Sequence, residues 1–403
     1  MHRVTLEEVQ RALPLVAQIA IETPMIESRW LGSLTGGGQV HLKCENLQRT
    51  GSFKIRGAAV RIGRLDEEER ARGVVAASAG NHAQGVALAA QQHGLSARVY
   101  MPEGAPLPKE RATKGYGAEV IFVSGPIENA LDAARRDAEE NGRVFIHPFD
   151  HADIIAGQGT LGLEVLRDCP HAATVLIPTG GGGLIAGVAA ALKGTRPDIR
   201  VVGVQAAGAA AYPASLAAGH PVRLEEMTTM ADGIAVGEPG QLTFDHVRSI
   251  VDDVVTVTEE ETSRALLSLV EREKLVVEPA GAVAVAALAE HPDQFRGPVV
   301  AVLSGGNIDP LLLGKVIRHG MAADRRYLNL QVKLADVPGG LARMLAEVGA
   351  AGANVLEVIH ERASAGLHLG EVDVHLQLET RGEAHSEAVL TRLDDNGYVV
   401  LER

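Results

Sequence analysis

The chain is poor in cysteine and in basic runs, and each absence excludes a class of protein. Its 403 residues include two cysteines, Cys44 and Cys169, which show no metal-ligand spacing and suit a reducing cytoplasm. Acidic residues outnumber basic ones by 51 to 38, which gives a formal net charge of −13. Because this charge is repelled by phosphate backbones and anionic lipids, we expect neither nucleic acid nor a membrane as a partner.

We also expect neither a secretory signal nor a membrane span. The chain begins MHRVTLEE, with acids where a signal peptide needs an apolar core. The long apolar run 174–192 contains Pro178 and four consecutive glycines, which favours strand, loop and helix over a membrane span. We therefore expect a cytoplasmic protein, long enough for two or three domains with sizeable cores.

Three short fragments carry the chemistry that the sequence can support. The first is Lys54, which follows Ser52 and Phe53. The second is the glycine run 180–183 (GGGG), and the third is 304–307 (SGGN) after a strand-like segment. Together they offer an amine that can form an imine, backbone amides that can hold a phosphate, and a hydroxyl at a strand end. This set of groups suits pyridoxal phosphate.

The surroundings of the first two fragments strengthen this interpretation. Lys54 lies among apolar neighbours, and a desolvated lysine has the lowered pKa that imine chemistry requires. The glycine run follows the strand-like segment 174–177 and opens the small-residue helix expected over 184–192. Amides at a helix N-terminus lie in a favourable dipole and bind phosphate well.

Other phosphate-binding motifs fit less well. A Walker loop requires Gly-Lys-Ser/Thr, but the glycines here are followed by Leu184. Gly181, Gly183 and Ala186 match the spacing of a dinucleotide fingerprint. The next strand, however, ends on Gln205 rather than on the acid that would hold a ribose hydroxyl. A dinucleotide site therefore remains the less favoured alternative.

From about residue 70 the sequence alternates β-branched strands with alanine-rich helices. Strands are expected over 73–77, 97–101, 119–123, 175–177, 201–204, 254–257 and 299–303, and helices over 81–93, 127–141 and 184–192. This alternation predicts an α/β fold with parallel sheets covered on both faces. Such sheets bind ligands at the carboxyl ends of their strands, where the three fragments and the turn 78–82 (SAGNH) are expected.

The pattern changes after residue 317. A short polar linker is expected over 319–326, between a catalytic body over 1–318 and a tail over 327–403. The tail predicts strands over 328–334, 355–362, 370–380 and 398–401, with helices over 341–351 and 384–395. This βαββαβ order is that of a ferredoxin-like unit.

On three motifs the body resembles fold-type II pyridoxal-phosphate enzymes of the threonine/serine dehydratase group. The motifs are 51–58 (GSFKIRGA), 77–85 (ASAGNHAQG) and the four-glycine loop. The tail resembles an ACT domain, an amino-acid-sensing module, and the combination is most similar to threonine ammonia-lyases of the shorter type. The resemblance implies two subdomains with parallel sheets, as in the tryptophan synthase β subunit. It also implies pyridoxal 5′-phosphate, an amino-acid substrate, an amino-acid effector and a homo-oligomer, either a dimer or a tetramer.

The same resemblance implies roles for individual residues. Lys54 would be the catalytic Schiff-base lysine. The cofactor would be held by Phe53, Lys54, Asn81, Gly180, Gly181, Gly182, Gly183, Leu184 and Ser304. The substrate carboxylate would be held by the backbone of Ser78, Ala79, Gly80, Asn81 and His82. Glu278 is expected near the site, although an ordinary surface acid and, for Phe53, an ordinary core position remain alternatives.

The implied reaction is dehydration and deamination of L-threonine to 2-oxobutanoate and ammonia, and of L-serine to pyruvate. Racemases of this group place a serine two residues before the loop asparagine, where this chain has Ala79. A methyl group cannot transfer a proton, which favours a dehydratase over a serine racemase. A catalytically silent amino-acid sensor is the alternative from another class.

In the tail, the turn 336–340 (DVPGG) is expected to receive an effector's carboxylate, and Asn354 is expected near an interface between copies.

Overall fold

The computed structural model describes residues 3–323, 325–362 and 368–402. The chain forms two compact units, Met1–Leu313 and Gly314–Arg403. Each unit has a hydrophobic core of its own. No helix among the described residues combines the length and the apolar character that crossing a bilayer requires.

The first unit alternates strands and helices from its N-terminus onward. Its strands are β1 (Met25–Glu27), β2 (Val40–Cys44), β3 (Val74–Ala77), β4 (Ala97–Pro102), β5 (Glu119–Val123), β6 (Val144–Phe145), β7 (Thr174–Pro178), β8 (Arg200–Ala206), β9 (Asp253–Val257) and β10 (Val299–Leu303). Its helices are α1 (Leu6–Ala17), α2 (Arg29–Leu34), α3 (Lys54–Gly63), α4 (Glu67–Arg72), α5 (Asn81–Gln92), α6 (Leu107–Gly115), α7 (Ile127–Asn141), α8 (Ala152–Asp168), α9 (Gly183–Thr195), α10 (Ala211–Ala218), α11 (Gln241–Ile250), α12 (Glu259–Ser268) and α13 (Pro279–Glu290). A further helix, α14 (Pro310–Ala323), spans the division between the units.

The strands of the first unit form two sheets. The smaller sheet has the order β5-β4-β3-β6, and its strands are parallel. The larger sheet has the order β1-β2-β10-β7-β8-β9. It is parallel except for β1, which pairs antiparallel with β2 at one edge. The prediction of an α/β fold with parallel sheets is confirmed, although the two strands before residue 50 were not predicted.

Three of the inner parallel strands are fully buried because helices cover both faces of the sheets, whereas the edge strands β5 and β9 are partly exposed. Every residue of β3, β7 and β10 is buried. Strands buried on both faces need near-continuous apolar sequences, which explains the Val-, Ile- and Ala-rich runs that allowed their prediction. The two cores formed in this way hold the strand ends in fixed positions.

Three strand ends lead directly into the turns that the sequence singles out. Strand β3 is followed by Ser78, and α5 begins at Asn81. Strand β7 is followed by a glycine turn, and α9 begins at Gly183. Ser304 follows the last residue of β10. Because β7 and β10 are neighbours in one sheet, their turns lie side by side.

The second unit is an antiparallel sheet covered by two helices. Its elements are β11 (Tyr327–Ala335), α15 (Gly340–Ala350), β12 (Asn354–Glu361), β13 (Glu371–Glu379), α16 (Glu383–Asp395) and β14 (Val399–Glu402). The sheet order is β12-β13-β11-β14, which is the ferredoxin-like arrangement that the sequence predicts. Both helices contribute apolar residues to the core on one face of the sheet.

The predicted linker over 319–326 differs from the structure. Helix α14 continues into this range, and the two compact units divide within that helix. The helix continues because its apolar residues keep a helical spacing, with Val316 and Gly320 four residues apart and both buried. The linker was predicted from the polar residues of 319–326, namely His319, Asp324, Arg325 and Arg326. Residue 324 of this range lies outside the described residues.

Candidate active site

The turns at the strand ends surround a cavity of about 850 Å³ in the first unit. The cavity is lined by every site residue that the sequence predicted, namely Phe53, Lys54, Ser78, Ala79, Gly80, Asn81, His82, Gly180, Gly181, Gly182, Gly183, Leu184 and Ser304. Glu278, for which a surface position was the alternative, lines the same cavity. Residues from five separate parts of the chain therefore meet at one place.

Lys54 is the first residue of α3, and its amine lies inside the cavity. Nζ donates a hydrogen bond to the carbonyl oxygen of Pro148 at 2.9 Å and lies 5.2 Å from the centre of the Phe53 ring. Burial lowers the pKa of Lys54 to about 8, and the Glu278 carboxylate opposes this shift. An appreciable fraction of the amine is therefore neutral, and able to act as a nucleophile, near neutral pH.

A buried ion-pair network fixes the helical turn that carries Lys54. Arg56 lies two residues further on and is almost completely buried. Its Nε is 2.7 Å from Glu45 Oε2, and its Nη1 is 2.6 Å from Glu164 Oε1. Helix α8 also packs closely here, since a Cβ at Gly157 would lie 2.5 Å from the carbonyl oxygen of Arg56. These contacts hold the start of α3 against α8 and against the turn that follows β2.

The glycine turn before α9 has no room for side chains. Gly182 has a φ of +93°, and a Cβ there would lie 1.9 Å from the Tyr212 hydroxyl oxygen. A Cβ at Gly181 would lie 2.4 Å from the Phe149 ring. The amides in the first turn of α9, from Gly183 onward, have no acceptors within the helix, and the helix dipole is positive at this end. The turn is therefore built as a site for a phosphate.

The loop after β3 offers fewer free amides than the sequence suggested. The amide of Ser78 donates to the carbonyl oxygen of Tyr100, and that of Gly80 donates to Ser78 Oγ. The His82 ring is turned to the carbonyl oxygen of Ile146, 2.8 Å from Nε2, and burial followed by Lys54 lowers its pKa to about 3. The ring is therefore neutral, and the amides of the first turn of α5 remain for an anion.

Ser304 lies at the end of β10 and is buried in the cavity wall. Its carbonyl oxygen accepts a hydrogen bond from the amide of Phe53 at 3.1 Å, which ties the strand end to the segment before Lys54. Its hydroxyl oxygen is 3.5 Å from the carbonyl oxygen of Ala280, which is long for such a hydrogen bond. The hydroxyl is therefore available to a ligand.

Sequence reasoning missed an ion pair inside the cavity. Lys109 Nζ on α6 lies 2.8 Å from Asp232 Oδ2, and both residues line the cavity. The same ammonium is beside the loop after β3, since a Cβ at Gly80 would lie 3.7 Å from it. Neither residue lies in a recognisable motif. A lysine and an aspartate more than a hundred residues apart cannot be paired from the sequence alone.

The residues present fit pyridoxal phosphate. A Cβ at Gly181 or Gly182 would occupy space already filled by Phe149 and Tyr212, so the glycine amides can approach a phosphate closely. The amine of Lys54 lines the same cavity and is placed for the aldehyde of the cofactor.

Comparisons with known proteins agree with this fit. The family model described as pyridoxal-phosphate dependent enzyme matches residues 16–305. A protein of Thermotoga maritima described as L-threonine ammonia-lyase is 46% identical over 98% of this chain and 99% of its own.

Two solved structures resemble the fold closely. The processed form of threonine deaminase isoform 2 from Solanum lycopersicum gives a TM-score of 0.75 at 37% identity, over 78% of this chain and 89% of that chain. Maize serine racemase gives a TM-score of 0.74 at 35% identity, over 80% of this chain and 99% of that chain. Since the family model covers most of the first compact unit and the relative is similar over nearly its whole length, this protein belongs to the pyridoxal-phosphate dependent enzyme family.

Proposed function

We propose that this protein converts L-threonine to 2-oxobutanoate and ammonia, and L-serine to pyruvate and ammonia. The observation that carries the proposal is the buried amine of Lys54, with its lowered pKa, in the same cavity as the glycine turn before α9. The similarity to an L-threonine ammonia-lyase over 98% of the chain supports threonine as the substrate.

The chain's own residues support each part of this chemistry. Bound pyridoxal phosphate withdraws electrons from the α-carbon of an amino acid joined to its aldehyde carbon. The amine of Lys54, buried in the same cavity, would be the base that takes the α-proton. Ser304 lines the same cavity and would offer the cofactor's pyridine nitrogen a hydroxyl, which would protonate it far less than a carboxylate. The weaker electron withdrawal favours loss of the β-hydroxyl over transamination.

The loop after β3 and Lys109 hold the substrate carboxylate in this proposal. The first-turn amides of α5 have no helical acceptors, and the Lys109 ammonium lies beside Gly80. Asp232 neutralises part of that ammonium's charge at 2.8 Å. An amino acid is therefore oriented with its carboxylate at this loop and its α-carbon towards Lys54.

Ala79 separates this reaction from racemisation. Racemisation needs an acid on the face of the α-carbon opposite Lys54, and the Ala79 methyl group in the cavity cannot supply a proton. The similarity to maize serine racemase keeps racemisation as the second candidate. Assays for 2-oxo acid with L-threonine, L-serine and D-serine, and for conversion of L-serine to D-serine, decide between the two.

The test of cofactor use is independent of turnover. Purified protein is expected to be yellow, to lose that colour on borohydride reduction, and to carry the reduced cofactor on the peptide containing Lys54. A protein without bound pyridoxal phosphate and without a reducible linkage would be an amino-acid sensor rather than an enzyme.

We further propose that the second unit is an ACT domain that responds to amino acids. A cavity of about 560 Å³ lies beside the turn before α15, and its lining includes Asp336, Gly339 and Arg362. The turn's amides and the Arg362 guanidinium are suitable partners for the carboxylate of an effector. The Thermotoga maritima relative is similar over 98% of this chain, so the similarity extends into the second unit.

The edge of the second sheet supports assembly of two or more copies. Strand β12, which begins at Asn354, is an edge strand, and its apolar residues Leu356, Val358 and Ile359 are exposed. An exposed apolar edge strand favours pairing with another chain. We propose a homo-oligomer on this ground, and sedimentation of the full-length protein measures its size. A plain dimerisation module, without sensing, is the alternative for this unit.

A further inference from the structure

The side-chain amide of Asn81 is fixed in one orientation by two neighbours. Asn307 Nδ2 donates hydrogen bonds to Asn81 Oδ1 at 2.8 Å and to the carbonyl oxygen of Thr50 at 2.6 Å. Asn81 Nδ2 donates to Glu278 Oε1 at 2.6 Å. If the side-chain amide of Asn81 were reversed, its NH₂ group would face the NH₂ group of Asn307. An amide nitrogen carries two hydrogens, so one remains for a ligand in the cavity.

Glu278 occupies an unusual position for an acid. It precedes α13 at the N-cap, but its side chain makes no capping hydrogen bond and is turned to Asn81 instead. Its amide donates to the carbonyl oxygen of Gly305 at 3.0 Å, and its side chain is almost fully buried. Oε2 has no hydrogen-bond partner among the described residues. Leaving a buried carboxyl oxygen unpaired costs free energy, which points to a functional requirement.

The contact between Glu278 and Asn81 depends on a glycine. A Cβ at Gly305 would lie 2.1 Å from Glu278 Oε1 and 3.2 Å from Asn81 Nδ2. Any larger residue there would push the carboxyl away from the amide. The sequence after β10 therefore leaves space for this one hydrogen bond.

The charges around Glu278 link it to Lys54. Burial raises the pKa of Glu278 to about 7, Lys109 opposes this shift, and Asp232 adds to it. The hydrogen bond from Asn81 and the charge of Lys54 lower the same pKa. In return, the Glu278 carboxylate raises the pKa of Lys54 against the effect of burial. An ionised Glu278 therefore favours the protonated amine.

We propose that Glu278 is a positioning residue with two separable effects. Through Oε1 it orients Asn81, so that the second amide hydrogen reaches the phenolic oxygen of pyridoxal phosphate. Through its negative charge, in the cavity that Lys54 also lines, it acts on the Lys54 amine. The inference rests on the proposed pyridoxal-phosphate-dependent function of the same cavity.

Two substitutions separate the two effects. Glu278→Gln keeps an oxygen that accepts from Asn81 but removes the charge. Glu278→Asp keeps the charge but shortens the side chain, so that it no longer reaches Asn81. Glu290→Gln at the other end of α13, where the native carboxylate accepts from Arg264, is the matched control. Circular dichroism establishes that each variant is folded.

The charge effect is measured on full-length protein from which the cofactor has been removed. The rate of pyridoxal phosphate capture, followed by the absorbance of the bound cofactor, is recorded against pH. We expect its inflection to move to lower pH in Glu278→Gln by roughly half a unit or more, because the charge that favours protonated Lys54 is gone. The inflection stays in place in Glu278→Asp and in Glu290→Gln.

The orientation effect is measured on the loaded protein. We expect Glu278→Asp to shift the absorbance maximum of the bound cofactor and to lower kcat at unchanged KM, whereas Glu278→Gln keeps the wild-type absorbance maximum. If both variants match wild type in inflection and in spectrum, the inference is overturned. If wild-type protein itself forms no borohydride-reducible linkage, the proposed function fails instead, so the two failures are distinguishable.

Discussion

Each compact unit contains a glycine turn that precedes a helix, and the two turns differ in how tightly neighbouring side chains enclose them. Gly182 before α9 and Gly339 before α15 are both N-cap residues with left-handed backbones, at φ values of +93° and +79°. A Cβ at Gly182 would meet the rigid, buried Tyr212 at 1.9 Å. A Cβ at Gly339 would meet only the mobile end of Arg343, at 3.2 Å.

The difference fits the two kinds of ligand that we propose for these turns. A cofactor that stays bound through many turnovers needs amides held in place, and the turn before α9 is enclosed by large buried side chains. An effector that reports its concentration must bind and leave, and the turn before α15 is exposed beside an open cavity. The two turns share their glycines and differ in how closely large side chains surround them.

The largest expected effect is on turnover and comes from replacing Lys54 in the first unit. Lys54→Ala should abolish ammonia release while the protein stays folded, because in the proposed function this one side chain is both the cofactor's partner and the base. Lys54→Arg should not rescue activity, since a guanidinium stays charged and is a poor nucleophile. The control is Lys114→Ala, an exposed lysine paired with Glu110 on α6. Turnover above about 1% of wild type in Lys54→Ala would refute the assignment.

The next largest effect is on cofactor affinity, and it tests the glycine turn before α9. Gly182→Ala should weaken pyridoxal phosphate binding at least about tenfold, because the added Cβ displaces Tyr212 and the amides beside it. Gly219→Ala is the matched control, since Gly219 also has a left-handed φ of +78° but has open space around its Cβ position. Titration of cofactor-free protein with pyridoxal phosphate measures both. Equal affinity in the two variants would mean that the phosphate is held elsewhere.

A smaller effect follows from the pKa of Lys54. Burial lowers this pKa to about 8, so the neutral, nucleophilic fraction of the amine increases as pH rises through that value. Capture of pyridoxal phosphate by cofactor-free protein should therefore speed up about fivefold between pH 7 and 8, and less than about twofold between pH 8 and 9. A rate that keeps rising about tenfold per unit to pH 10 would indicate an ordinary, solvated lysine.

The glycine turn before α9 can be predicted from the sequence, but the side chains that enclose it cannot. Glycine, lysine and serine at strand ends have a chemistry that can be recognised from the residues alone, and all of them line one cavity. Tyr212 and Phe149, which make the turn rigid, are ordinary aromatic residues whose positions depend on tertiary packing. The ion pair of Lys109 and Asp232 is missed for the same reason.

The fold shows the same division. Buried parallel strands such as β7 and β10 are predictable because both faces must be apolar. The edge strand β1 is three residues long and partly exposed, so it lacks such a pattern. Helix α14 was not predicted, and its last part was read as a linker because 319–326 is rich in polar residues, although buried Val316 and Gly320 keep a helical spacing.

The smallest expected effect comes from changes in the second unit, which contains the turn before α15. These changes should alter the response to an effector and not the turnover. Truncation after Ala323 should leave turnover within about twofold of wild type but remove any response to isoleucine or valine. Gly339→Ala should raise the effector concentration for half-maximal response by less than about tenfold, because its Cβ narrows a turn whose neighbour can move. Gly352→Ala is the control, with a φ of +82° and a similar mobile neighbour, Arg381, at 3.4 Å. If full-length protein responds to no amino acid, the sensing role is wrong and the unit serves assembly. If it responds and Gly339→Ala responds equally, the effector binds away from the turn.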